Sequence, residues 1–193
     1  MPDAASPVRI IGLSGSLRVG SYNAQLLRAA VGLAPSGMEL VTGTIRGIPL
    51  YDGDVEASEG VPPLVAALKD QIAAADGLLL VTPEYNNSIP GVFKNAIDWL
   101  TRPATDIPRV FGGKPVGLIG ASPGGFGTIL SQNAWLPVLR TLGTEPYFGG
   151  RLMVSRAHKA FEEGDKFADP AMEEMLKGYL AGFAEFVRAK TGR

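Results

Sequence analysis

The sequence predicts one α/β domain in which a parallel sheet of five strands carries helices on both faces. Three observations lead there. Short, almost continuous apolar runs, the mark of strands buried on both sides, alternate with longer stretches of helical period. The pairing of run and helix repeats five times with short connections. The 25 glycines and 15 prolines gather at the joints between these segments, as punctuation rather than as low-complexity sequence.

The first run, Val8-Arg9-Ile10-Ile11-Gly12-Leu13-Ser14, ends in Gly and Ser and reads as a buried strand. Tyr22 to Gly32 follows as a helix carrying Leu26, Leu27, Ala30 and Val31. Met38 to Ile45 reads as a second strand, and 46–60, rich in Gly, Asp and Pro, as a loop. Pro62-Pro63 opens a helix to Ala75 with Leu64, Val65, Leu68 and Ile72 on one stripe. Gly77 to Thr82 is a third strand, Pro90 to Leu100 a helix, and Pro115 to Gly120 a fourth strand. Thr128 to Leu142 has helical period, but Pro137 predicts a kink or a split. Thr144 to Val154 is a last extended segment. Asp169-Pro170 then starts a helix with Met172, Leu176, Tyr179, Leu180, Phe183, Phe186 and Val187 on a broad apolar stripe. Residues 1–193 form one domain with 1–7 as a loose tail. No internal repeat or linker interrupts it.

Composition excludes several classes of function. With no cysteine there is no disulfide framework, thiolate nucleophile or zinc–cysteine site, and with one histidine no multi-histidine metal site. Eighteen basic against nineteen acidic residues give a net charge of −1, which argues against a nucleic-acid partner or a polybasic membrane anchor. No apolar run approaches the roughly 20 residues of a membrane span, and no secretion signal opens the chain. The expected location is the cytoplasm.

In open α/β sheets ligands sit beyond the carboxyl ends of the strands, so three loops are candidates. The first, Gly15-Ser16-Leu17-Arg18-Val19-Gly20-Ser21-Tyr22-Asn23, runs from a strand into a helix N-terminus, where unpaired N–H groups and the dipole favour an anion. Ser16, Ser21 and Asn23 add neutral donors and Arg18 one charged fork. Ser21 stands where a Walker loop needs Lys. Gly12 and Gly15 miss the dinucleotide spacing, and no acid ends the second strand. A terminal phosphate monoester suits this loop better than a pyrophosphate. The second, Thr82-Pro83-Glu84-Tyr85-Asn86-Asn87-Ser88-Ile89-Pro90, offers a flat ring and an amide on stiffened backbone for the edge of a planar heterocycle. The third, Gly120-Ala121-Ser122-Pro123-Gly124-Gly125-Phe126-Gly127-Thr128, lets backbone N–H groups approach a ligand closely.

Gly120-x-Ser122-x-Gly124 also matches the nucleophile elbow of hydrolases, but its partners would have to be Glu145 and His158, within one short βα stretch. His158, among Arg156, Lys159, Glu162 and Glu163, reads as a solvated surface residue. Trp99 and Trp135 read as core or interface. No catalytic side chain is expected. The helix bearing Phe93, Ile97, Trp99 and Leu100 has apolar residues at more azimuths than one sheet-facing stripe needs, which suggests a second subunit.

Taken together, Gly15-Ser16-Leu17-Arg18-x-x-Ser21-x-Asn23, Pro83-Glu84-Tyr85-Asn86 and Pro90-Gly91-x-x-Lys94-Asn95-Ala96-Ile97-Asp98-Trp99 resemble the NADPH-dependent FMN reductase family, which includes flavin-dependent quinone, chromate and azo-dye reductases. The resemblance runs through Val154. It implies a flavodoxin-like three-layer sandwich, strand order 2-1-3-4-5, and noncovalent FMN. Ser16, Arg18, Ser21 and Asn23 would hold its phosphate, with Tyr22 beside them. Pro83, Glu84, Tyr85 and Asn86 would line the isoalloxazine, and Ser122, Gly124 and Gly125 would close its pyrimidine side. It also implies ping-pong transfer of hydride from NADPH or NADH to a small-molecule acceptor, and a homodimer or homotetramer. The alternative is a flavodoxin-type electron carrier. Its usual docking face of one charge sign is not supported by the mixed charges.

Overall fold

A computed structural model describes residues 6–192; the expected tail falls largely on residues 1–5, outside the described residues. The strands are β1 (Val8–Ser14), β2 (Met38–Gly43), β3 (Gly77–Val81), β4 (Pro115–Ala121), β5 (Glu145–Pro146) and β6 (Leu152–Val154). The helices are α1 (Tyr22–Gly32), α2 (Gly53–Glu59), α3 (Pro63–Ala73), α4 (Gly91–Leu100), α5 (Ile107–Val110), α6 (Ile129–Thr141) and α7 (Pro170–Thr191). Every strand pairing is parallel. The order is β2-β1-β3-β4, with β5 and β6 both on the outer edge of β4, so the 2-1-3-4-5 arrangement is present.

The register explains the continuous apolar runs. Leu13 lies beside Leu80 and Leu80 beside Leu118, while successive residues point to opposite faces. Ile10, Leu79 and Ile119 pack with Leu26 and Leu27 of α1 and with Leu180 and Phe183 of α7. Ile11, Leu13, Leu78 and Val116 pack with Val65 and Ile72 of α3, Phe93 and Ile97 of α4, and Trp135 and Leu139 of α6. A central strand with a helical layer on each side has no polar face to present. The final helix starts as its sequence dictates: Asp169 Oδ1 accepts from the Ala171 N–H at 2.8 Å, and Pro170 occupies the first turn.

The structure departs from the sequence reading in several places. The 46–60 loop contains α2, capped by Asp52, whose Oδ1 accepts from the Asp54 N–H at 2.9 Å. Pro137 does not split α6. Trp135 and Leu139, both buried on either side of it, hold the helix against the sheet despite the missing backbone donor. The last extended segment is two short strands, because 147–151 leaves the sheet and turns the Tyr147 ring onto Tyr179, Phe183 and Phe186 at centroid distances of 5.4, 5.6 and 5.5 Å. Val31 and Leu64, expected on buried stripes, face solvent.

The surplus apolar azimuth of α4 is also accounted for within the chain. Phe93, Ile97, Trp99 and Leu100 are all buried. Asn95 Nδ2 and Trp99 Nε1 donate to the Pro49 carbonyl at 2.8 and 3.0 Å, and the Tyr51 N–H donates to Asn95 Oδ1 at 2.9 Å. These three bonds fasten the 49–51 loop over the outer side of the helix. That side therefore carries no argument for a second subunit.

Candidate functional site

The three expected loops meet at the carboxyl ends of β1, β3 and β4. Ser16, Arg18, Ser21, Tyr22, Asn23, Pro83, Glu84 and Tyr85 line one cleft, together with Ala121, Ser122 and Pro123. It measures about 150 Å³. A pocket enclosing a whole drug-sized ligand runs to roughly 300–1,000 Å³, so the cleft encloses part of such a molecule and leaves the rest on an open rim. Asn86, Gly124 and Gly125, also expected at the site, flank this lining rather than form it.

The first loop is organised by the start of α1. Ser21 is the cap residue, and its Oγ accepts from the Ala24 N–H at 3.2 Å. The N–H groups of Tyr22 and Asn23, in the first turn, have no acceptor within the helix, and both residues line the cleft. The Arg18 guanidinium stands over the Tyr22 ring, 5.7 Å from its centroid, and has no carboxylate partner among the described residues. Ser16 Oγ accepts from the Arg18 N–H at 3.3 Å, so its own hydrogen is left to donate. This is the donor set of an anion site: two hydroxyls, two helix N–H groups and one unpaired cation.

Asn23 plays a different part from the one its amide suggests. Its Nδ2 donates to the Ala121 carbonyl and its Oδ1 accepts from the Ala121 N–H, both at 2.8 Å and both buried. The side chain locks the first loop to the end of β4. Sequence reasoning missed Ala121 and Pro123. The signal available was the polar side chain at a helix start opposite a bare strand end.

The second loop is held from below. Thr82 Oγ1 donates to the Pro83 carbonyl at 2.9 Å and accepts from Trp135 Nε1 at 3.1 Å; Ser131 Oγ lies 2.9 Å away and must donate to it. Glu84 Oε2 accepts from the Leu130 and Ser131 N–H groups at 2.9 and 3.0 Å, capping α6. The Glu84 carboxylate is thus committed to the scaffold, and its backbone is what borders the cleft. Tyr85 and Ser88 exchange two backbone bonds across a tight turn whose central residues, Asn86 and Asn87, have φ of 50° and 62°. Asn tolerates this left-handed conformation better than most residues. That is the structural reason for Asn86, and the turn leaves the Tyr85 ring half exposed.

The third loop hangs on the strand beside it. The Ser122 N–H donates to the Val154 carbonyl, the Ala157 N–H to the Ser122 carbonyl and the Arg156 N–H to the Gly124 carbonyl, at 2.9, 3.0 and 2.9 Å. Gly120 and the later glycines do different work. A Cβ on Gly120 would lie 2.2 Å from the Thr82 carbonyl oxygen, whereas one on Gly125 would meet nothing. The first permits close packing; the second leaves open space beside the cleft. Ser122 Oγ accepts from the Gly124 N–H at 3.2 Å, and Glu145 pairs with Lys190 at 3.1 Å. The acid that a hydrolase triad would need is therefore directed to α7 and not to His158.

Residues 8–159 match the family described as NADPH-dependent FMN reductase. The chain is 43% identical to the NAD(P)H-dependent FMN reductase of Pseudomonas aeruginosa, over 96% of this chain and 98% of that one. It is 39% identical to a quinone reductase of Escherichia coli, over 94% and 96% of the two chains. The solved structure of FerB, a flavoenzyme NAD(P)H:(acceptor) oxidoreductase from Paracoccus denitrificans, superposes with a TM-score of 0.85 at 32% identity, covering 94% of this chain and 98% of the other. The family match over residues 8–159, with relatives of about 40% identity along nearly the whole chain, places this protein in the NADPH-dependent FMN reductase family.

Proposed function

We propose that this protein is an FMN-dependent oxidoreductase that takes hydride from NADPH or NADH and passes it to a quinone, a flavin, an azo compound or a similar small acceptor. The observation that carries this reading is the donor set at the start of α1, with Arg18 lacking a carboxylate partner among the described residues, in a cleft whose one acidic lining residue, Glu84, has its carboxylate engaged by the α6 N–H groups. The naming of its relatives as FMN and quinone reductases supports it.

Ser16, Arg18, Ser21 and the N–H groups of Tyr22 and Asn23 fit a phosphate monoester. Pro83, Glu84 and Tyr85 border the ring, Asn86 shapes the turn that presents Tyr85, and Ser122, Gly124 and Gly125 close the pyrimidine side. The bound flavin supplies the electron chemistry, so no side-chain nucleophile or catalytic acid is required. An open rim gives donor and acceptor the same surface in turn, hence a ping-pong order, and discriminates weakly among flat acceptors. The reading includes a homodimer or homotetramer in the cytoplasm. Val19, Leu50 and Phe126 are 94%, 82% and 85% exposed and are candidates for burial between subunits; light scattering at micromolar concentration measures this directly.

The test is oxidation of NADPH and NADH by protein loaded with FMN, with and without a quinone. Turnover that depends on both FMN and quinone is expected. A protein that binds FMN yet oxidises neither nucleotide is an electron carrier, and the proposal fails.

A further inference from the structure

We propose that a second cavity, on the β2 side of the first loop, receives the 2′-phosphate of NADPH, with Arg46 as its charged partner. The inference rests on the reading above that the protein uses a nicotinamide donor, and deepens it by naming which donor is preferred and why.

The cavity measures about 330 Å³. Its polar lining is Ser14, Ser16, Arg28, Thr42, Thr44 and Arg46, and no carboxylate is among its lining residues. Ser16 also lines the flavin cleft, so the two cavities adjoin across the Ser16–Leu17 backbone. A nucleotide whose ring lies on the rim of one has the other as neighbouring space for its distal anion.

The two guanidinium groups are not equivalent. Arg28 spends its fork on Asp165, with bonds of 2.6 and 2.8 Å. Arg46 has no carboxylate partner among the described residues; one N–H donates to the Leu17 carbonyl at 2.5 Å, which fixes the head group over the cavity and leaves most of its five donors unspent. The hydroxyl beside it is an acceptor only in the bond it makes here, Thr44 Oγ1 from the Arg46 N–H at 3.1 Å, and it retains a hydrogen to donate. Ser14 Oγ, on the same wall, is buried without a partner. A cationic fork, several hydroxyl donors and no acid describe a site for a phosphate dianion and not for a neutral diol.

The charge pattern agrees, although this chain lacks the dinucleotide glycine spacing: an acid beside a nucleotide ribose accepts from its diol, whereas an arginine accommodates a 2′-phosphate. Here the segment after β2 reads Thr44-Ile45-Arg46, with no acid.

The test titrates 2′,5′-ADP and ADP into the FMN-loaded protein by calorimetry, for the parent, Arg46→Ala and Arg46→Lys. The parent should bind 2′,5′-ADP roughly 10-fold or more tighter than ADP, the effect of one charged hydrogen-bonded pair. Arg46→Ala should abolish that preference, and Arg46→Lys should keep part of it. The ratio of kcat/KM for NADPH over NADH should fall in parallel. Equal binding of the two probes by the parent would overturn the proposal. So would equal losses of FMN, ADP and 2′,5′-ADP affinity in Arg46→Ala, which would show that Arg46 only steadies the first loop through Leu17. Because the calorimetry needs no turnover, an enzyme inactive with both nucleotides would count against the oxidoreductase reading alone.

Discussion

The Tyr179 hydroxyl accepts from the Leu118 N–H at 2.8 Å and donates to the Leu118 carbonyl at 3.1 Å. Leu118 lies on the edge of β4 between the points where β5 and β6 attach, Val116 beside Pro146 and Ile119 beside Leu152. The excursion of 147–151 takes away the strand that would have paired with it. One phenol from α7 stands in for that strand, and its burial drives the Tyr179 pKa well above the ordinary tyrosine value, so it remains protonated and able to donate.

Tyr179→Phe keeps the ring and removes both bonds. Two backbone groups beside a groove then depend on water. The expected cost is about 1–3 kcal/mol, equivalent to a fall of roughly 2–10 °C in Tm for a domain of this size. Tyr179 does not line the cleft proposed for FMN, so FMN affinity should hold. Thermal melting and flavin titration of the same variant check both statements.

The glycines of the third loop should separate by function. Gly120→Ala forces a Cβ within 2.2 Å of the Thr82 carbonyl oxygen and 2.3 Å of Thr128 Oγ1. Backbone must shift, at a cost of about 1–3 kcal/mol or more. Gly125→Ala meets no protein atom, so the flavin-free protein should melt within about 0.5 kcal/mol of the parent. Its FMN affinity should fall, since the added methyl occupies space beside the ring's expected edge.

Glu84 should act through α6. Glu84→Ala uncaps the Leu130 and Ser131 N–H groups, at a cost of about 1 kcal/mol, and releases the second loop, so both Tm and FMN affinity should drop. Glu84→Gln keeps an oxygen for the same two donors and should recover most of each. A Gln variant as weak as the Ala variant would mean that the charge itself acts on the flavin.

Acid should weaken the 102–106 turn. Lys69, almost fully buried, pairs with Asp106 at 2.5 Å and donates to the Arg102 carbonyl. The lysine holds the Asp106 carboxyl below its usual range. A lowered carboxylate pKa contributes stability that is complete above the unfolded value and disappears as pH falls through the folded one. Stability should therefore decline below about pH 4 with a steeper slope in the parent than in Asp106→Asn, as measured by urea unfolding across pH.

What could be read from the sequence was set by local pattern. Val8 to Ser14 and Gly77 to Val81 announce buried strands because both their faces are covered, and Ser21 and Asp169 announce helix starts because capping is local. The meeting of the three loops was legible for the same reason, since strand ends in an open parallel sheet lie along one edge. The misses depend on distant partners. The α2 segment is steadied by Glu56, which accepts from Arg102 Nε at 2.7 Å across 46 positions. Asn23 and Glu84 look like ligand donors until Ala121 and the α6 N-terminus are seen to take their side chains. The α4 face that suggests a second subunit is covered by Pro49–Tyr51, and no periodicity of α4 alone could reveal that cover.

Arg18→Ala tests most directly whether the start of α1 holds a flavin phosphate. Titrate FMN and riboflavin into parent and variant by fluorescence quenching, with the flavin-free melting temperature as the control for folding. A charged hydrogen bond contributes about 1.5–3 kcal/mol, so FMN affinity should fall roughly 10- to 150-fold. FMN binding should not vanish, because Ser16, Ser21 and the helix N–H groups remain in place, and riboflavin, which has no phosphate for Arg18 to meet, should lose little. Equal losses for the two flavins, with folding intact, would show that Arg18 does not meet the phosphate and that the cleft binds its ligand in some other way.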